Sequence, residues 1–104
     1  MKILTVNPEW ANLIVDGIKR IENRSWGKNV RGIIGIHRGG KYGAIIGQVE
    51  VVNVLNCEEA LKQFPEQEEF ISGSLCWILK NAIRFEKPIP HKGKLSLWEY
   101  NEKK

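Results

Sequence analysis

Lys19, Glu22, Arg24 and Trp26 place an ammonium, a carboxylate, a guanidinium and an indole in one short segment, GIKRIENRSW, running from Gly17 to Trp26. A Lys–Glu–Arg set can orient its own members through charge-assisted hydrogen bonds. It can also offer donors to a phosphate while Glu22 accepts from the exocyclic amine of a base. Trp26 follows the charges at the same strand parity, which makes it the tryptophan best placed to stack on a base. The same residue types would equally build a surface salt-bridge ladder, which contributes little energy. In a catalytic role, Lys19 and Glu22 would be the acid–base pair, acting on RNA or a modified nucleoside as a hydrolase.

Charge is concentrated around this segment. The chain of 104 residues has 16 Lys and Arg against 12 Asp and Glu, a net +4, and the whole excess lies in the first half. Between Lys19 and Lys41, seven cations (Lys19, Arg20, Arg24, Lys28, Arg31, Arg38 and Lys41) face one acid, Glu22. Such a field attracts phosphates, although the same charges could also be spread over a solvated surface. His37 and Arg38 end an isoleucine-rich strand before Gly39-Gly40 and are candidates for the rim of a binding site. The stretch Glu58–Glu69 is acidic and is expected to lie outside that surface.

Other chemistries find little support. There is no G-x-x-x-x-G-K-[ST] loop, no H-E-x-x-H and no G-x-S-x-G. His37 and His91 are the only histidines and have no cysteine cluster beside them, so no metal or cofactor is expected. Cys57 and Cys76 are too few for a disulfide framework and read as buried thiols. No apolar run of about 18 residues is present and the N-terminus lacks a secretory pattern, so a cytoplasmic monomer is expected.

The elements that must position these groups are short. Ile3–Val6 reads as a strand, and Asn7-Pro8-Glu9 starts a helix with Trp10, Leu13 and Ile14 on one face, closed by Gly17. Ile18–Trp26 reads as a strand; Lys19, on the parity opposite Glu22 and Arg24, would leave from the turn after Gly17. Arg31–Arg38 and the β-branched run Ala44–Leu55 follow as strands, the latter central. Glu58–Phe64 reads as a helix ended by Pro65. Leu75–Phe85 is one strand or a pair, Pro88 and Pro90 then break the pattern, and Leu95–Tyr100 is the last. Trp10, Trp77 and Trp98 read as core residues. The fold class is α+β, one domain over residues 1–104.

These residues also carry a resemblance. GIKRIENRSW resembles the G-x-K-x-x-E-x-R signature of the ASCH domain family, in the PUA-like superfamily. LTVNPEWANLI, RGIIGIH, IIGQVEVV, LCWILKNAIRF and KPIPHKGKLSLW resemble the family's successive strands and helix, in order. The resemblance implies a small, mixed, mostly antiparallel β-barrel flanked by one or two short helices. It also implies a nucleic-acid-binding role, RNA before DNA, in a cleft lined by Lys19, Glu22 and Arg24. Where many relatives read Gln-Pro-Trp, this chain has Pro8-Glu9-Trp10. One bacterial branch hydrolyses the acetyl amide of a modified cytidine with a lysine and a threonine of this motif. Glu22 occupies the threonine position here, and a carboxylate cannot replace that hydroxyl.

Overall fold

The computed structural model describes residues 1–101. The elements are β1 (Lys2–Val6), α1 (Pro8–Val15), β2 (Ile21–Arg24), β3 (Gly32–Arg38), β4 (Ala44–Asn56), α2 (Cys57–Gln63), a 3-10 segment (Pro65–Phe70), β5 (Leu75–Pro90) and β6 (Leu97–Glu99). All six strands join one sheet in the order β2-β5-β4-β3-β1-β6. Only β1 with β3 is parallel, and α1 makes that crossover; every other pairing is antiparallel.

The sheet is mixed and mostly antiparallel, as the patterning implies, but it is not a barrel closed by backbone hydrogen bonds. Its outer strands β2 and β6 do not pair with each other. Curvature comes instead from irregularities in β4–β5, where the register shifts between Ile45/Gly47, Gln48/Glu50 and Val51/Asn53. Extra residues of this kind bend a strand and tighten its twist. Asn81, left-handed at φ 54°, lies in the bent stretch of β5.

Three apolar clusters follow. The largest packs α1, through Ala11, Ile14 and Val15, onto Leu4, Ile36, Val49, Trp77 and Leu79. A second sets Ala60, Phe64 and Phe70 against Ile21, Cys76 and Ile78 on the opposite face of the sheet. A third gathers Ile3, Ile45 and Trp98 near the chain's N-terminus.

Several boundaries differ from the sequence expectation, each for a local reason. The strand expected from Ile18 begins only at Ile21. The Ile18 and Lys19 N–H groups return to Leu13 O, and the Arg20 N–H is taken by Gln67 Oε1 at 2.7 Å. Pro88 and Pro90 do not interrupt β5. The His91 N–H bonds Gly43 O across to β4, so alternation turns positions 88 and 90 to the strand's other edge. That edge is open because β2 pairs only with Leu75–Ile78. α1 starts at Pro8 with Asn7 in the cap position, yet the Asn7 side chain makes no cap bond; Asn56 does cap α2, accepting from the Glu59 N–H at 2.8 Å.

Candidate functional site

α1 ends where Gly17 adopts φ 76°, a left-handed conformation suited to glycine. The chain then doubles back over Leu13 and drives the Lys19 side chain inward, leaving the residue 4% exposed. Two positions after Lys19, β2 begins at Ile21. Glu22, opposite Trp77, and Arg24, opposite Leu75, point to the same face. Lys19 therefore reaches Glu22 from the turn rather than along the strand, as its parity requires.

The three side chains form one buried network. Lys19 Nζ donates to Glu22 Oε1 at 3.2 Å and to the Ile21 carbonyl. Arg24 Nε donates to Glu22 Oε2 at 2.9 Å, and Arg24 Nη2 donates to Thr5 O at 3.1 Å. Each Glu22 oxygen thus receives a cation, and the cluster keeps one net positive charge. The Arg24–Thr5 bond also spans the open side of the sheet, tying β2 to β1. Burial lowers the Lys19 pKa below the ordinary lysine value, with Glu22 opposing that shift.

Beside this network lies a cavity of about 250 Å³ lined by Trp10, Lys19, Glu22, Asn23, Glu69, Phe70 and Ser72. The Lys19 ammonium sits 6.0 Å from the Trp10 ring and 5.9 Å from the Phe70 ring, within cation–π range. The two rings meet edge to face at 6.2 Å. A further cavity of about 380 Å³, mostly apolar, lies beyond Lys19 between Ile14, Phe64, Ile78 and Asn81.

The wall opposite β2 is the acidic segment. Asn23 Nδ2 donates to Phe70 O at 2.7 Å, and Asn23 Oδ1 accepts from the Ser72 N–H at 3.0 Å. Gln67, 5% exposed, donates to Ile18 O at 3.0 Å and accepts from Arg20 N, locking the 3-10 segment onto the turn that carries Lys19. Arg20 pairs with Glu66 at 2.8 Å. The acidic segment, expected to lie outside a basic binding surface, lies against the Lys19 network, and Glu69 lines the cavity.

The other candidates lie elsewhere. Trp26 follows β2 and packs edge to face on Trp77 at 5.2 Å, its carbonyl accepting from Trp77 Nε1. His37 is not at a rim: it is 1% exposed, its Nε2 lies 2.6 Å from His91 O, and Nδ1 has no partner. Arg38 Nη2 donates to Tyr42 O at 3.0 Å. Trp77 and Trp98 are core as expected, but Trp10 is 38% exposed on the cavity mouth. A helix-face indole gives no sequence signal for which side of its ring stays wet. Phe70, Asn23 and Ser72 join the site only through tertiary contacts. Among the described residues, no group of three or more His, Cys, Asp or Glu could hold a metal ion, and no helix is long and apolar enough to cross a membrane.

Comparison with known proteins agrees with this architecture. The ASCH domain family model matches residues 4–89. The chain is 26% identical, over an alignment of 129 positions, to activating signal cointegrator 1 of Mus musculus and of Homo sapiens. These matches cover 96% of the chain but only 22% of each relative, so the chain spans about a fifth of their length. The crystal structure of ASCH from Zymomonas mobilis superposes with a TM-score of 0.75 at 16% identity, covering 97% of this chain and 87% of that one. A mutant of the same bacterial protein gives 0.72 at 15% identity, covering 97% and 90%.

Proposed function

This chain belongs to the ASCH domain family, and from that membership and the site's geometry we propose that it is a nucleic-acid-binding module, RNA before DNA. The carrying observation is the Trp10-rimmed cavity beside the Lys19–Glu22–Arg24 network. Its volume falls below the roughly 300–1,000 Å³ of pockets for drug-sized ligands. It suits a single unpaired base. The base stacks on Trp10, Lys19 and Glu22 meet its polar edge, and the exposed part of Arg24 meets phosphate or sugar. Trp26, half-buried against Trp77, is a secondary stacking surface in this reading. His37, in the core, orders the fold behind Arg38 rather than touching the strand.

The test is fluorescence anisotropy of a labelled single-stranded RNA against rising salt, with wild type and Trp10→Ala. Binding at low salt that weakens steeply with salt, and weakens again in Trp10→Ala, supports the reading. No binding at low salt overturns it, and binding indifferent to Trp10 overturns the placing of a base in the cavity.

A hydrolytic second reading rests on one observation: burial lowers the Lys19 pKa beside a carboxylate. Glu22 would take the proton of a water that attacks the scissile centre, and the Lys19 ammonium, a readier acid for its lowered pKa, would give a proton to the leaving group as its bond breaks. If single-stranded RNA and N4-acetylcytidine both survive incubation with and without divalent metal, that reading is wrong.

A further inference from the structure

A second basic face lies across Thr5 from the cavity. The loop after β3 and the loop after β5 lie side by side, and glycine lets them do so. A Cβ on Gly43 would come within 2.8 Å of His91 O and 2.9 Å of His37. One on Gly93 would come within 2.9 Å of the Thr5 side chain. This close approach brings Lys41 of one loop to the same hollow as Lys92 of the other, with Lys94 two residues further on. Between the loops is an open hollow of about 520 Å³ lined by Gly40, Lys41, Gly43, His91, Lys92 and Gly93. Among the described residues no carboxylate lines it, and neither Lys41 nor Lys92 has a salt-bridge partner. Lys94 Nζ stands 5.5 Å over the Trp98 ring, which also stacks on His91 at 4.9 Å.

Thr5 touches both places. Its carbonyl accepts from Arg24 Nη2 at 3.1 Å. Its Oγ1 accepts from the Lys94 N–H at 3.3 Å and from Trp98 Nε1 at 3.0 Å. One residue therefore separates the Lys19–Glu22–Arg24 network from the lysine-lined hollow.

We propose that the face formed by Gly40–Gly43 and His91–Lys94 binds successive phosphodiester groups of a single strand, one of whose bases enters the Trp10 cavity. The open hollow between the loops can take a sugar-phosphate chain, and lysines act as point charges on phosphates without reading sequence. This rests on the nucleic-acid reading above and adds a second contact region to it. The face supplies strand-length affinity and the cavity supplies base contact.

The test compares wild type, the triple variant Lys41→Gln/Lys92→Gln/Lys94→Gln, and Trp10→Ala. The probes are a single-stranded RNA of about 12 nucleotides, within the roughly 4–16 of single-strand sites, and a dinucleotide competitor. Each phosphate neutralised on a single strand adds about 0.7 to the slope of log affinity against log salt. The triple variant should lower that slope by about 2, weaken the long strand about tenfold or more, and leave dinucleotide competition unchanged. An unchanged slope and affinity for the long strand overturn the face while the cavity reading stands. A loss in the triple variant with none in Trp10→Ala overturns the cavity reading while the face stands. Tripolyphosphate binding as tight as the RNA, and lost in the triple variant, overturns the assignment to a nucleic-acid strand in favour of free polyphosphate.

Discussion

The Lys19 ammonium lies 3.2 Å from Glu22 Oε1 with side-chain exposures of only 5% and 9%. An ion pair this buried is an expensive way to hold a strand edge, because both groups lose hydration that their attraction only partly replaces. The pair lines a cavity, with the ammonium within cation–π range of two aromatic rings, and the proposed binding role makes use of that placement.

That cost is measurable. Removing one partner leaves the other charge buried, which typically destabilises by about 3–5 kcal/mol. Glu22→Leu should be the worse single change, because Lys19 then keeps only the Ile21 carbonyl and faces Arg24 without an intervening carboxylate. Lys19→Met should cost less, since Arg24 still holds Glu22. The double variant should be more stable than Glu22→Leu alone. Urea denaturation of the four proteins gives the coupling, and strictly additive effects would contradict the network.

Gln67 is the clasp between the acidic segment and the turn carrying Lys19. Its amide makes two bonds, to Ile18 O and from Arg20 N, at 5% exposure. Gln67→Leu strands both backbone groups and should cost about 1–3 kcal/mol. Amide exchange should rise first at Arg20, whose N–H loses its acceptor. A protection pattern at Arg20 identical to wild type would show that the clasp is not needed.

Much of this was readable in the chain. The Pro8 start of α1, the parity of Glu22 and Arg24 and the departure of Lys19 from the turn after Gly17 all follow from local rules, because each depends on neighbours a few residues away. The family resemblance added that the successive segments form one module of mixed sheet and short flanking helices. What stayed hidden was long-range. Asn23 carries no sign that it will bind Phe70 O and the Ser72 N–H, nor Gln67 that it will bridge to Ile18 and Arg20. The acidic run looked remote from a basic motif because charge counts do not know that Arg20 and Glu66 become partners. Pro88 and Pro90 signalled a break that never comes, since β2 pairs only with Leu75–Ile78 and their edge of β5 stays open.

Trp10 and Trp26 should separate binding from folding. Trp10 is 38% exposed and rims the cavity, so Trp10→Ala should cost an RNA ligand about 1–3 kcal/mol, the usual value of one stacked base. Trp26 packs on Trp77 within the main core, so Trp26→Ala should chiefly destabilise, by about 2–4 kcal/mol for a large side chain lost from a packed edge. Paired melting curves and binding isotherms decide the matter. If Trp26→Ala leaves the melt unchanged and removes binding, the roles assigned to the two indoles are reversed.

Acid sensitivity should trace to the far side of α1. Asp16 caps the helix C-terminus, where the dipole disfavours a negative charge. Arg84 of β5 compensates: its Nε donates to Asp16 Oδ1 at 2.8 Å and its Nη2 to Oδ2 at 3.0 Å. That bidentate hydrogen bonding holds the Asp16 pKa below its ordinary 3.8. A carboxyl whose folded pKa is depressed releases its proton more readily in the native state. Its stabilising contribution is therefore present in full above the unfolded value and disappears as pH falls through the folded one. The melting temperature of wild type should exceed that of Asp16→Asn by a constant amount at neutral pH, and the gap should close below about pH 3.8. Arg84→Gln should cost more than Asp16→Asn at neutral pH, because it leaves the aspartate charge uncompensated at the helix end. A gap between wild type and Asp16→Asn that widens with acid would mean the pair opposes folding, contrary to the geometry.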